Sequence, residues 1–263
     1  MDTKQFWKQL TLFISILLLI LITREYISYQ LINNGIESYQ THTILSISAN
    51  LILILVSLFF INKNGLYTIA GLKGTTLKKW YLLVFPLIFL VVLNILVIDP
   101  INTDTLYSNI VIYTIYSMSI GFAEELSIRG FMQSHLINYF GQTKKSIVIS
   151  IFIASAFFGV IHLINFDKGF YGEMSQVCFA TFIGVMFGVL LVITKRIYPL
   201  ILVHTIIDFV ADLDTVGMPI TEKISDPTTL ETAIIITLLA FPCLLYAVLL
   251  MKKQPLIHQN QKS

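Results

Sequence analysis

Charge is what this chain has least of. Only 12% of its 263 residues are Asp, Glu, Lys or Arg, about half the share of a soluble domain. The few charges are gathered between long apolar runs, so most of the chain cannot form a water-exposed surface. The net charge is +2, with no basic run interleaved with aromatics, so the composition gives no reason to expect nucleic acid. Cysteine is equally scarce. Cys178 and Cys243 both lie in apolar runs and are expected to be small core residues, neither a disulfide nor metal ligands. Internal repeats and low-complexity segments are also missing, which argues against the repeated architecture of a transporter.

What remains is hydrophobic length. Apolar segments fall at about 6–23, 42–61, 80–98, 106–128, 145–165, 173–194, 198–212 and 230–250, most near the ~20 residues that a bilayer requires. The expected fold is all-α, a polytopic membrane bundle of about eight transmembrane helices. The seventh segment is short and interrupted by His204 and Asp208, which places it inside the bundle and away from lipid. The first run follows Lys4 and Lys8 like a signal peptide. No small-x-small cleavage site follows it at Thr23–Tyr26, so an uncleaved first span is expected. Pro86 and Pro242 fall inside apolar spans and are expected to kink them, and Gly184-x-x-x-Gly188 permits close helix approach. Residues 1–105 are read as N-terminal spans with a basic loop, 106–212 as a functional core, and 213–263 as a last span with a polar tail.

Cations test the count. With both termini inside, the inner set is Lys4, Lys8, Lys63, Lys73, Lys78, Lys79, Lys144, Lys145, Lys195, Arg196, Lys252, Lys253 and Lys262. The outer set is Arg24, Lys168 and Lys223. Thirteen against three is a strong positive-inside bias, and it favours an even number of spans with cytoplasmic termini. The loop Asn62–Lys79 is expected to lie on the inner headgroups as a lipid-surface anchor. The tail Gln254–Ser263 is expected to be disordered. The Ile-, Asn- and Lys-rich usage fits the cell membrane of an AT-rich bacterium.

Against this background, Gly121-Phe-Ala-Glu-Glu-Leu-Ser-Ile-Arg129 stands out. Ionisable groups at membrane depth cost a few kcal/mol or more and mark function by default. Glu125 and Arg129 are spaced i, i+4 and can pair on one helix face. Glu124 lies about 100° further round and is not neutralised by Arg129 in the same way, which suits it to general acid or base work. A charged ring at a helix end is the plainer reading. Phe158-x-x-x-His162 follows in the fifth segment, where His162 could be a satisfied core histidine. His204-x-x-x-Asp208 lies in the seventh, and these two could form a helix–helix hydrogen-bond pair.

Glu124-Glu125-x-x-x-Arg129, Phe158-x-x-x-His162 and His204-x-x-x-Asp208, in this order and in separate spans, resemble the CPBP family. That family comprises CAAX prenyl proteases and the bacteriocin-processing or immunity proteins also called Abi proteins. The resemblance covers about residues 118–210; the spans before residue 105 match only in hydropathy. It implies a metal-independent intramembrane endopeptidase with no cofactor, acting on a peptide or a membrane-anchored protein. Glu124 and His162 would activate water. His204, with Asp208, would stabilise the oxyanion. Glu125 and Arg129 would position Glu124. Asp208 departs from the Asn of many members, and an ionised Asp cannot donate a hydrogen bond. Either Asp208 is protonated, or it orients His204, or a metal is held by Glu124, His162, His204 and Asp208. The signatures His-Glu-x-x-His, Gly-x-Ser-x-Gly and Gly-x-Gly-Asp are absent. The rival reading is a non-catalytic Abi-type protein that binds a membrane partner. Prenylated substrates are not expected in such an organism.

Depth imposes one condition. His162 lies about 26 Å along its helix from Lys145, at 1.5 Å per residue. A fourth span ending near 128 would leave Glu124 close to the inner side, far from His162. A helix from about 108 to 140 instead puts Glu124 about 24 Å from the inner end, level with His162.

Overall fold

The computed structural model describes residues 2–74, 76–165, 168–221, 227–254 and 256. Among them every regular element is helical. In order these are α1 (Thr3–Asn33), α2 (Tyr39–Lys63), a 3₁₀ turn (Trp80–Leu83) leading into α3 (Val84–Val97), and α4 (Thr103–Glu124). A π-helical segment (Glu125–Gln133) joins α4 to α5 (Ser134–Phe140). Then come α6 (Lys144–Ile161) with a 3₁₀ turn (His162–Ile164), α7 (Gly169–Thr194), α8 (Tyr198–Ala211) and α9 (Leu230–Lys253). Taken with their 3₁₀ and π extensions, seven of the described helices are long and apolar enough to cross a membrane; α8, with 14 residues, is the short one. The chain is therefore a multi-pass α-helical membrane protein. The fourth span runs unbroken over Thr103–Phe140, as the depth of Glu124 requires.

Several helices begin where a polar side chain can take an orphan N–H. Asp2 accepts from the amide of Gln5, Asn102 from Asp104 and Thr105, and Thr143 from Ser146. The fourth span ends at Gly141, whose φ of +94° admits only a residue without Cβ at low cost. Pro86 falls in the first turn of α3 and is buried there. A first-turn proline removes no intrahelical bond, so it does not kink the helix as expected. Pro242 lies within α9.

The helix most enclosed by protein is α7, buried continuously from Ile183 to Thr194. It packs against α6 and α9. Gly184 and Gly188 face α6: a Cβ on Gly184 would meet Ser155 Cβ at 3.0 Å, and one on Gly188 would meet Ile151 Cγ2 at 2.9 Å. Gln133 Nε2 donates to the carbonyl of Gly188 at 3.1 Å, which ties the π segment to α7. On the other side α2 packs on α4, and α4 and α3 pack on α8. Cys243 is buried and Cys178 half-buried, and both are free.

The basic loop after α2 is more than a headgroup anchor. Leu66, Ala70 and Leu72 are buried in the main core. The amide of Lys78 donates to Thr194 O at 2.9 Å and that of Ile197 to Gly71 O at 3.3 Å, so the loop docks on the α7–α8 turn. That turn passes through Lys195 in the left-handed region, φ +64°. Burial and the neighbouring Lys78 bring the Lys195 ammonium down to about 8. Asp167, Lys223, Asp226 and Lys262 lie outside the described residues, as does most of the tail. Of Gln254–Ser263 only Gln254 and Leu256 are described, and Leu256 is buried rather than loose.

The docked loop is open to a direct check. Gly71 has φ +69°, and a Cβ there would stand 2.9 Å from Ile197 N and 3.0 Å from Arg196 Cα. Gly71→Ala is expected to cost more than about 1 kcal/mol, read as a lowered thermal midpoint of the detergent-purified protein. Lys195→Gly relieves the left-handed strain at the facing residue and is expected to raise the same midpoint.

Candidate active site

Glu124 closes α4 and Glu125 opens the π segment. A π-helix closes each turn with one residue more than an α-helix and occurs mostly at functional sites. The wider turn frees a carbonyl, and Ser134 Oγ takes that of Arg129 at 2.9 Å. Every residue from Glu125 to Gln133 is buried, while Glu124 is not: its side chain keeps 31% of its surface exposed.

The two glutamates thus have different surroundings. Glu125 Oε1 lies 3.0 Å from Arg129 Nη1, with both side chains fully buried. The same oxygen accepts from His204 Nδ1 at 2.8 Å. Arg129 is further enclosed by aromatic faces, with Cζ 4.7 Å from the ring centre of Phe158 and 5.7 Å from that of Phe187. Such stacking offsets part of the desolvation that a buried guanidinium suffers. Phe187 in turn meets the His204 ring edge to face at 5.4 Å. Guanidinium, carboxylate and imidazole form one continuous buried assembly across the π segment, α6, α7 and α8.

His204 presents its other nitrogen to two carboxyl groups. Nε2 is 3.4 Å from Glu124 Oε2 and 3.5 Å from Asp208 Oδ2. The imidazole is therefore oriented through Nδ1 by Glu125. Asp208, expected as a possible orienting group, stands beside Glu124 at the opposite nitrogen. Its helix is pinned locally, since Tyr113 Oη donates to the carbonyls of Asp208 and Phe209 at 3.2 and 2.6 Å. Close contact of α4 and α8 makes this meeting possible: a Cβ on Gly121 would reach Ile201 O at 3.0 Å and collide with Thr205.

His162 comes from the other side. Its Nδ1 donates to the carbonyl of Phe158 at 2.7 Å, leaving Nε2 as the acceptor nitrogen. The Phe158 ring stands edge to face against it at 4.8 Å, so one residue touches both His162 and Arg129. Glu124 and His162 line a common cavity of ≈ 160 Å³, together with Phe158. His204, Asp208, Glu125 and Arg129 do not line it; they stand behind Glu124. Among the described residues no group of three or more His, Cys, Asp or Glu is arranged to hold a metal ion.

The cavity also contains residues that the motifs did not flag. Arg24 comes from α1, Asn50 from α2 and Asn165 from the turn after α6. Asn50 Nδ2 donates to Ser119 Oγ at 2.9 Å, a buried link between α2 and α4. The first two precede the motif-bearing part of the chain, and nothing in their spacing connects them to it. Asn165 lies one turn beyond His162 and could have been found by extending that helix.

With the geometry described, comparison with known proteins gives one match. Residues 106–210 match the family model described as type II CAAX prenyl endopeptidase, Rce1-like, consistent with the CPBP family. No match was found among curated proteins or among solved structures. The matched stretch contains Glu124, Glu125, Arg129, Phe158, His162, His204 and Asp208, and in this stretch the chain is similar to CAAX-protease-like membrane proteins.

The different surroundings of the two glutamates predict different costs. Glu125→Gln leaves Arg129 buried without its anion and is expected to destabilise the protein by about 3 kcal/mol. Glu124→Gln, at the cavity wall, is expected to change stability by less than about 1 kcal/mol. Thermal unfolding of the two purified variants checks both. Equal losses would mean that Glu124 is as much a part of the scaffold as Glu125.

Proposed function

We propose that the chain is an intramembrane endopeptidase that cleaves a peptide or a membrane-anchored protein with water activated at Glu124 and His162. One observation supports this above the others. A partly exposed carboxylate and an imidazole with a free acceptor nitrogen, from separate helices, face one small cavity. The charges that hold them are sealed behind the cavity wall.

In this reading Glu124 takes a proton from water as the oxygen adds to the scissile carbonyl carbon. The carbon–nitrogen bond then breaks and the proton passes to the leaving nitrogen; the carboxylic acid formed gives up the water's second proton to the amine, so the products are a carboxylate and an ammonium group. His162 Nε2 holds the water's second hydrogen. His204 is a positioning residue: Glu125 fixes its Nδ1, and its Nε2 meets Glu124. Its ring is not on the cavity wall, so the oxyanion role implied by resemblance is not carried into this reading. Arg129 and Phe158 keep Glu125 and His162 in place.

Orientation follows from the cations. The ends of α2, α5, α7 and α9 share one end of the bundle with the basic loop and the start of α1. We place this end and both termini in the cytoplasm of a bacterial cell. The cavity then lies towards the opposite leaflet, since Arg24 and Asn165 line it near the other end.

Glu124→Gln and His162→Ala are each expected to lower cleavage of quenched-fluorescent apolar peptides by at least about a hundredfold. His204→Gln is expected to lower kcat with little change in KM. Cleavage should survive exhaustive chelation; its loss on chelation and return with zinc would replace this mechanism with a metal-assisted one. A cellular phenotype that persists in both Glu124→Gln and His162→Ala would favour a non-catalytic role on a membrane partner.

A further inference from the structure

The cavity that holds Glu124 and His162 carries one permanent cation among its described lining residues, Arg24. It lies in the half of α1 that has no buried residue. Those buried in α1 are Phe6, Gln9, Leu10, Phe13 and Leu17, all towards its start. Yet Arg24 does not reach out to water. Its side chain is only 16% exposed and is held by three hydrogen bonds. Nε and Nη2 donate to Glu25 Oε1 at 2.9 and 2.6 Å, and Nη2 also donates to Asn165 Oδ1 at 3.0 Å.

A positioned guanidinium on an otherwise mostly apolar wall recognises planar anions. Its fork matches a carboxylate with two parallel hydrogen bonds, which an ammonium cannot imitate. Here the three bonds use Nε and Nη2, and the present anion, Glu25, meets the guanidinium with Oε1. Among the described lining residues Arg24 is the one Lys or Arg, and Leu17, Leu21, Leu53, Ile161 and Ile164 give the cavity much of its hydrocarbon wall.

We propose that Arg24 is a specificity-determining residue that binds a carboxylate of the substrate peptide in the cavity, displacing Glu25. The preferred substrate is then an apolar segment with an acidic side chain or a free C-terminus close to the cleaved bond. Glu25 occupies the guanidinium when the cavity is empty and competes with the incoming carboxylate. Asn165, one turn past His162, keeps the guanidinium facing the cavity. This inference rests on the cavity being the substrate site, as proposed above.

Binding tests it independently of catalysis. Three fluorescein-labelled Leu/Ala peptides are titrated against the full-length protein in zwitterionic nanodiscs. One ends in a free carboxylate, one is its C-terminal amide, and one is an amide with an internal Glu. Wild-type protein is expected to bind one or both carboxylate peptides about tenfold more tightly than the plain amide. The carboxylate that gives the preference identifies the source. In Arg24→Gln that ratio falls to about one, and in Arg24→Lys it is partly kept. Glu25→Gln is expected to raise the ratio severalfold, a gain that a damaged fold cannot imitate. Equal affinity of wild-type protein for all three peptides overturns the inference. So does an unchanged ratio in both Arg24→Gln and Glu25→Gln. Cleavage of the same peptides is measured in parallel. Carboxylate-selective binding without cleavage would leave Arg24 as the anion site and refute only the peptidase reading.

Discussion

The buried contact between Arg129 and Glu125 is the constraint on which the rest of the structure depends. A guanidinium has no neutral form to fall back on, so it can be buried in the bundle only with an anion and favourable surfaces around it. Glu125 supplies the anion; Phe158 and Phe187 supply the surfaces. Each of these partners comes from a different element. Meeting the needs of one cation therefore fixes the relative placement of the fourth span, α6 and α7. The imidazole of His204 joins the same carboxylate and brings α8 into register. The functional groups are then secondary to this arrangement: Glu124 is the next residue on the helix, and His162 is one turn beyond Phe158.

Much of this was legible in the sequence because membrane helices leave few places for polar groups. Glu125 and Arg129 could be paired from spacing alone, and the sixth segment's Gly184 and Gly188 could be read as contact points. The requirement that Glu124 and His162 share a depth called for a helix continuing to about residue 140, and the span Thr103–Phe140 does so. What could not be read is the π-helical turn, which is set by tertiary demands on Arg129 and Gln133 rather than by local propensity. The pairing of His204 Nδ1 with Glu125 was equally hidden. Its nearest carboxylate in sequence, Asp208, lies on the same helix face, and only the crossing of α4 and α8 shows which carboxylate reaches which nitrogen.

Other differences have the same origin. The loop after α2 reads as basic and glycine-broken, and such loops commonly lie on headgroups. Its apolar residues Leu66, Ala70 and Leu72 instead find a pocket of protein, and backbone hydrogen bonds to Thr194 and Ile197 complete the docking. Pro86 looked internal because the apolar run begins before the α-helix does; the 3₁₀ turn Trp80–Leu83 moves it into a first turn. In each case the composition was read correctly and the boundary was set by a neighbour.

The π-helical segment makes the stretch from Glu125 to Gln133 sensitive to length as well as to identity. Removing any one of its residues would let the chain relax into an ordinary α-helix, with every amide reaching back four residues rather than five. Because that change absorbs the missing residue, the helix beyond would keep nearly its present face, and the side chains within the segment would be the ones displaced. The contacts at stake are those of the segment itself, the ion pair of Arg129 with Glu125 and the bond of Gln133 to Gly188. The same deletion would keep nearly every polar residue of the site in the sequence. A chain missing one residue between Gly130 and Gln133 would therefore lose the geometry of this segment while Glu124, Glu125 and Arg129 still read as an intact motif.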